Sequence, residues 1–137
     1  MKVSEVQTDV KWVKVPSLIT AHSCGFGTPF SDGMEYEDIP YEFVKNAKEP
    51  YIITAKGSSM EPVIYDGDKL IIDIKSQHKH NDMVTVFLNG DYLVKIFYQN
   101  NFSLYLKSKN TKFKDIKINE DDEFHVLGKV VGIYREF

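Results

Sequence analysis

From residue 51 onward the chain divides into short segments of branched and aromatic side chains, each closed by turn formers. They cover residues 51–56, 69–74, 83–88, 92–98, 102–107 and 125–134. Such side chains pack well on a pleated surface, so the pattern predicts strands. In the segment 92–98, period-two alternation puts Leu93, Lys95 and Phe97 on one face and Tyr92, Val94, Ile96 and Tyr98 on the other. Asn89-Gly90, between two of these segments, predicts a tight hairpin, because both turn positions favour positive φ. Asp66-Gly67-Asp68 and Gln99-Asn100-Asn101 mark two more turns. No window of fifteen residues carries a helical period, although Ser59 to Ile64 has room for one short turn. The fold class expected is mostly β.

The first fifty residues read differently. Residues 1–34 hold Pro16, Gly25, Gly27, Pro29 and Gly33 among short apolar stretches, the pattern of an extended N-terminal arm. Residues 35–48 mix charge and aromatics and are expected to lead into the core, dividing the chain into an arm, 1–34, and a β-rich domain, 35–137. This leaves no room for a separate helical DNA-binding domain. The acidic run 119–123 is read as a solvated loop.

Composition narrows the class. The chain has 137 residues, 42% hydrophobic, which is enough for one domain with its own core and excludes global disorder. The net charge of −3 and a pI near 5.8 disfavour sequence-independent binding to phosphate backbones, so any role near DNA is expected to run through a protein partner. The single cysteine, Cys24, excludes an intrachain disulfide and a multi-cysteine zinc site, and it suits a reducing, cytoplasmic setting. No apolar run approaches the roughly 20 residues of a membrane span, and no signal peptide is evident. No cofactor is expected. His78-Lys79-His80 reads as a polar loop rather than a metal site, and Cys24 as a catalytic thiol with His22 or His125 has no supporting context.

Two places break the local rules. At Gly57-Ser58-Ser59-Met60-Glu61-Pro62 a β-rich run stops at a glycine followed by two hydroxyls. A capped turn would account for it; so would a nucleophilic serine at a sharp corner whose backbone N–H groups stabilise an oxyanion. The second place is Lys95, an ammonium in a strand otherwise apolar on both faces. It is either an edge-strand lysine that blocks aggregation or a desolvated amine able to act as a general base for a serine.

Gly57 to Met60, then Asp66-Gly67-Asp68 and a lysine in an apolar strand, together resemble the LexA/UmuD/CI-type family of self-cleaving serine/lysine peptidases. Leu104 to Asn110, Phe113 and the closing Leu127-Gly128-Lys129-Val130-Val131-Gly132 resemble its later strands. Family members cut their own chain at an Ala-Gly or Cys-Gly bond upstream of the serine. Cys24-Gly25 is such a bond, with 34 residues from Gly25 to Ser59 and 36 from Ser59 to Lys95.

The resemblance implies a LexA C-terminal-like, signal-peptidase-like β fold. It implies Ser59 as nucleophile, Lys95 as general base, Cys24 and Gly25 flanking the scissile bond, and an oxyanion hole from backbone N–H groups of Ser58 and Ser59. It also implies a homodimer whose cleavage is stimulated by a RecA filament on single-stranded DNA. The shortness of the chain favours a UmuD-like accessory of a translesion DNA polymerase. The alternatives are the C-terminal autocleavage and dimerisation domain of a LexA/CI-like repressor, and a catalytically silent interaction module with the same fold.

Overall fold

In a computed structural model of the chain, residues 10–18 and 35–135 are described. Among them, nine strands form one sheet: β1 (Trp12–Ser17), β2 (Glu35–Pro40), β3 (Pro50–Thr54), β4 (Lys69–Asp73), β5 (Met83–Leu88), β6 (Asp91–Gln99), β7 (Leu104–Lys107), β8 (Ile116–Lys117) and β9 (Phe124–Tyr134). The order across the sheet is β2-β1-β3-β4-β9-β5-β6-β7-β8. All pairs are antiparallel except β1 with β3. Helix is confined to one 3-10 turn, Tyr41–Phe43, and no helix among the described residues is long and apolar enough to cross a membrane. The described residues are mostly β, as the runs of branched and aromatic side chains predict.

Local chemistry fixes the connections. Asn89 and Gly90 take φ of 49° and 96°, closing the β5–β6 hairpin between Leu88 and Asp91. At the next turn the Asn100 carboxamide oxygen accepts the N–H groups of Phe102 and Ser103, so β7 starts at Leu104 rather than at 102. The acidic run is solvated but not loose. Asp122 receives the Asn119 N–H and the Asn89 side-chain amide, while Asn89 accepts the Glu123 N–H, which fastens this loop to the hairpin tip.

Strand β1 and its pairing with β2 were not predicted by the sequence pattern. Val15 within β1 is 2% exposed and packs with Ile39, Val44, Ile52 and Ile71, so these residues, placed by sequence in an extended arm, belong to the sheet. The stretch is short, contains Pro16 and exposes Trp12, and its strand character comes from β2 partners 18 to 28 positions away. Along the rest of the sheet, Leu70, Ile72, Met60, Ile64 and Leu18 fill a second core, and Val84, Val86, Phe97 and Leu106 a third. Gly128 sits where β9 passes between β4 and β5, and a Cβ there would lie 3.2 Å from the Asp73 carbonyl oxygen.

The start of β4 and the end of β9 are tied by a charge pair. Arg135 donates from Nε and Nη2 to the two Asp68 oxygens, both at 2.6 Å, and Asp68 also accepts the Tyr65 N–H. The Arg135 hydrogen bond outweighs burial and holds the Asp68 carboxyl below the usual range. Its folded value being depressed, the contribution is full above the ordinary Asp value near 3.8 and is lost as the carboxyl protonates below it. Arg135→Ala is expected to lower Tm by several degrees at neutral pH. The difference from the unaltered chain should narrow progressively as pH falls below the ordinary Asp value near 3.8, as thermal melts at neutral pH and across the acid range would show.

Candidate active site

The loop after β3 is pinned on both sides of its serines. Gly57 adopts φ +81°, a conformation only glycine takes without strain, and donates its N–H to the Asp66 carboxylate at 2.8 Å. The Asp66-Gly67-Asp68 corner answers it: Gly67 donates to the Ala55 carbonyl and Ala55 to that of Asp68. On the far side Met60 is buried in the core, and its carbonyl accepts the N–H groups of Val63 and Ile64, which makes the single turn expected over 59–64. Ser58 and Ser59 are thus held between a glycine bend and a buried methionine.

A third anchor comes from the segment after β7. The Asn110 N–H donates to the Ser59 carbonyl at 2.9 Å, and its side-chain amide donates to the Ser58 carbonyl at 3.0 Å. Because the trans peptide is planar, the Ser59 N–H points opposite to the Ser58 carbonyl and so away from Asn110.

Lys95 lies on β6, which is flanked by β5 and β7, so the edge-strand explanation fails. It is opposite Val84 in the ladder and only 6% exposed. Its Nζ donates to Ser108 Oγ at 2.9 Å and stands 5.6 Å from the centre of the Phe113 ring. No carboxylate among the described residues lies within ion-pair distance of it. Burial without a counter-ion pushes the Lys95 ammonium below its ordinary pKa.

Ser59 and Lys95 line the same cleft, a cavity of about 430 Å³. Leu18, Met60 and Ile64 contribute apolar walls, and the fully buried Thr85 also lines it, its hydroxyl without a hydrogen-bond partner among the described residues. Glu35 stands at the cleft as well. Leu18 and Glu35 are the last and first described residues on either side of the segment that contains Cys24 and Gly25. Cys24, Gly25 and His22 themselves lie outside the described residues.

A model of the Peptidase S24-like family matches residues 17–131. The chain belongs to this family. The match spans the serine loop, the buried lysine and the Cys24-Gly25 bond, and the nearly all-β sheet agrees with the family fold. Self-cleavage by a serine peptidase is a general property of this family. Among curated proteins the chain is similar to the LexA repressor of Clostridium acetobutylicum, 33% identical over 104 residues, which is 75% of this chain and 50% of the relative. It is also similar to the LexA repressor of Clostridium botulinum strain Langeland, 30% identical over 129 residues, 91% of this chain and 60% of the relative. The LexA repressor of Clostridium perfringens strain ATCC 13124 is 32% identical over 100 residues, 72% and 48% of the two chains. The chain therefore spans about half to three-fifths of the length of these relatives.

The other sequence candidates are placed elsewhere. His78 packs edge-on against Phe97, His80 accepts the Gln99 N–H, and His125 lies beside Phe87. Among the described residues no group of three potential ligands stands ready for a metal. The functional reading of the sequence passed over Ser108 and the contacts of Asn110. A signal for Ser108 exists: a β6–β7 hairpin turning at 100–103 pairs Ile96 with Lys107, which sets Ser108 beside Lys95.

Proposed function

We propose that this chain is the self-cleaving and dimerising part of a LexA/CI-like repressor, cutting its own Cys24-Gly25 bond. In this reading Ser59 is the nucleophile and Lys95 the general base. The observation that carries it is the cleft, where Ser59 and Lys95 meet the two ends, Leu18 and Glu35, of the segment that holds the bond. Six residues from Leu18 to Cys24 reach roughly 20 Å when extended, enough to bring the bond into the cleft without disturbing the sheet.

Neutral Lys95 takes the proton of Ser59 as Oγ attacks the Cys24 carbonyl carbon. The negative oxygen is received by backbone N–H groups of Ser58 and Ser59. Lys95 then returns the proton to the Gly25 nitrogen, which leaves, and the remaining ester is hydrolysed by water with Lys95 again as base. Gly25 lets the backbone approach the nucleophile without a Cβ. Tethering makes the step intramolecular, with a high effective concentration of bond at nucleophile. Homodimerisation and stimulation by a RecA filament on single-stranded DNA follow from the family likeness. The LexA names of the relatives favour a repressor over a UmuD-like accessory of a translesion polymerase.

The test is to incubate the purified protein at neutral and alkaline pH and follow its intact mass. Loss of residues 1–24 is expected, faster at high pH, independent of protein concentration and absent in Ser59→Ala. Cleavage that survives Ser59→Ala but stops in Ser58→Ala would move the nucleophile by one residue. Absence of cleavage under every condition, activated RecA included, would make the chain a silent dimerisation module.

A further inference from the structure

One short stretch after β7 touches both members of the Ser59–Lys95 pair. Ser108 Oγ accepts from Lys95 Nζ, while two residues on Asn110 holds the carbonyls of Ser58 and Ser59. Those carbonyls belong to the peptide units on either side of the Ser59 Cα, so Asn110 fixes the plane of both. Asn110 is itself immobilised: its side-chain oxygen accepts the Lys112 N–H at 3.1 Å and its carbonyl accepts the Phe113 N–H at 3.1 Å. Phe113, at the end of that turn, stands over the Lys95 amine.

A lysine side chain has four rotatable bonds, and without a partner its amine would sample many orientations. A neutral amine has two N–H groups and one lone pair. Giving an N–H to Ser108 restricts the directions left to the lone pair, and only a lone pair aimed at Ser59 can take its proton. Asn110 needs both ends of its amide, a donor for Ser58 and an acceptor for Lys112, a combination that aspartate of the same size lacks.

We propose that the segment Ser108–Asn110 is a clamp that sets base against nucleophile, with Ser108 a positioning residue for the Lys95 amine and Asn110 a positioning residue for the Ser59 backbone. The proposal rests on the assignment of Ser59 and Lys95 as the reacting pair. It makes the two contacts separable by measurement, since one acts on the amine and the other on the serine loop.

The experiment compares the full chain with Ser108→Ala, Ser108→Thr and Asn110→Asp. One readout is the first-order self-cleavage rate as a function of pH. The other is the titration of Lys95 by NMR of isotopically labelled lysine side chains in a Ser59→Ala background, with the resonance assigned by Lys95→Arg. Ser108→Ala is expected to lower the alkaline plateau rate by about ten- to hundredfold. It should also move the Lys95 midpoint down, because the charged form loses its acceptor. Ser108→Thr restores both, since it keeps the hydroxyl. Asn110→Asp lowers the plateau rate about tenfold and leaves the Lys95 midpoint in place. A Lys95 midpoint indifferent to Ser108→Ala, or an Asn110→Asp variant that cleaves at the unaltered rate, overturns the clamp. If the unaltered chain does not cleave, the assignment of the reacting pair fails, whereas the NMR titration still decides the Ser108 contact.

Discussion

Replacing Lys95 by Met is expected to abolish self-cleavage and, at the same time, to make the fold more stable. Loss of the proposed general base should slow the reaction by about a hundred- to ten-thousandfold. The stability effect has the opposite sign because Lys95 is buried at 6% exposure, with no carboxylate among the described residues to compensate it. A methionine of similar length fills the same space without desolvating an amine, a gain of about 1–3 kcal/mol at neutral pH. The sign of the pH dependence follows from linkage. With the folded value depressed below the ordinary 10.5, the unfolded chain binds more protons between those two values. Stability of the unaltered chain therefore rises with pH through that window and is flat below it. Lys95→Met should lack this rise. Urea titrations at pH 7 and in the alkaline range, beside mass spectrometry of cleavage, check both halves. A Lys95→Met protein less stable than its parent would show that the amine is held by interactions stronger than its desolvation.

The second large effect is expected at Asp73, in the last position of β4 and 2% exposed. Its carboxylate accepts three backbone N–H groups, from Lys48, Glu49 and Lys75. Burial alone would raise its pKa; these three donors outweigh burial and hold it below the ordinary value. Asp73→Ala leaves three donors without their acceptor and is expected to cost about 3 kcal/mol or more, roughly 10 °C in Tm. Asp73→Asn should recover part of this, since a neutral oxygen accepts fewer and weaker bonds. The contribution is complete above the ordinary value near 3.8 and disappears as pH falls toward the depressed folded value. Thermal melts across the acid range would show the variant and its parent converging. A melting point unchanged at neutral pH would mean that the turn before β3 and the one after β4 satisfy their N–H groups in another way.

Much of the fold was legible because its signals are local. Runs of branched and aromatic side chains bounded by turn formers located β3 through β7 and β9, and Asn89-Gly90 announced its hairpin, since the φ preference that makes the turn belongs to those two residues. Strand β1 was not legible, because Val15 is a core residue only once Ile39, Ile52 and Ile71 surround it. The same division runs through the site. Gly57-Ser58-Ser59-Met60 and a lysine between apolar neighbours stand out in one dimension as departures from a strand pattern. That Lys95 lies on an interior strand, and is therefore desolvated, depends on β5 and β7 flanking it. Likewise, Ser108 becomes a partner of Lys95 only through the β6–β7 register.

The sequence by itself determined the strand-rich class, the two hairpin turns around β6 and the order of the chemical elements, from Cys24-Gly25 through Ser59 to Lys95. Those properties reside in residue type and spacing. Tertiary structure decided the burial of the lysine, the hold of Asn110 on the serine loop, and the placing of Leu18 and Glu35 at one cleft. Burial and hydrogen-bond partnership are relations between residues distant in the chain, and they come into being only when the sheet brings those residues together.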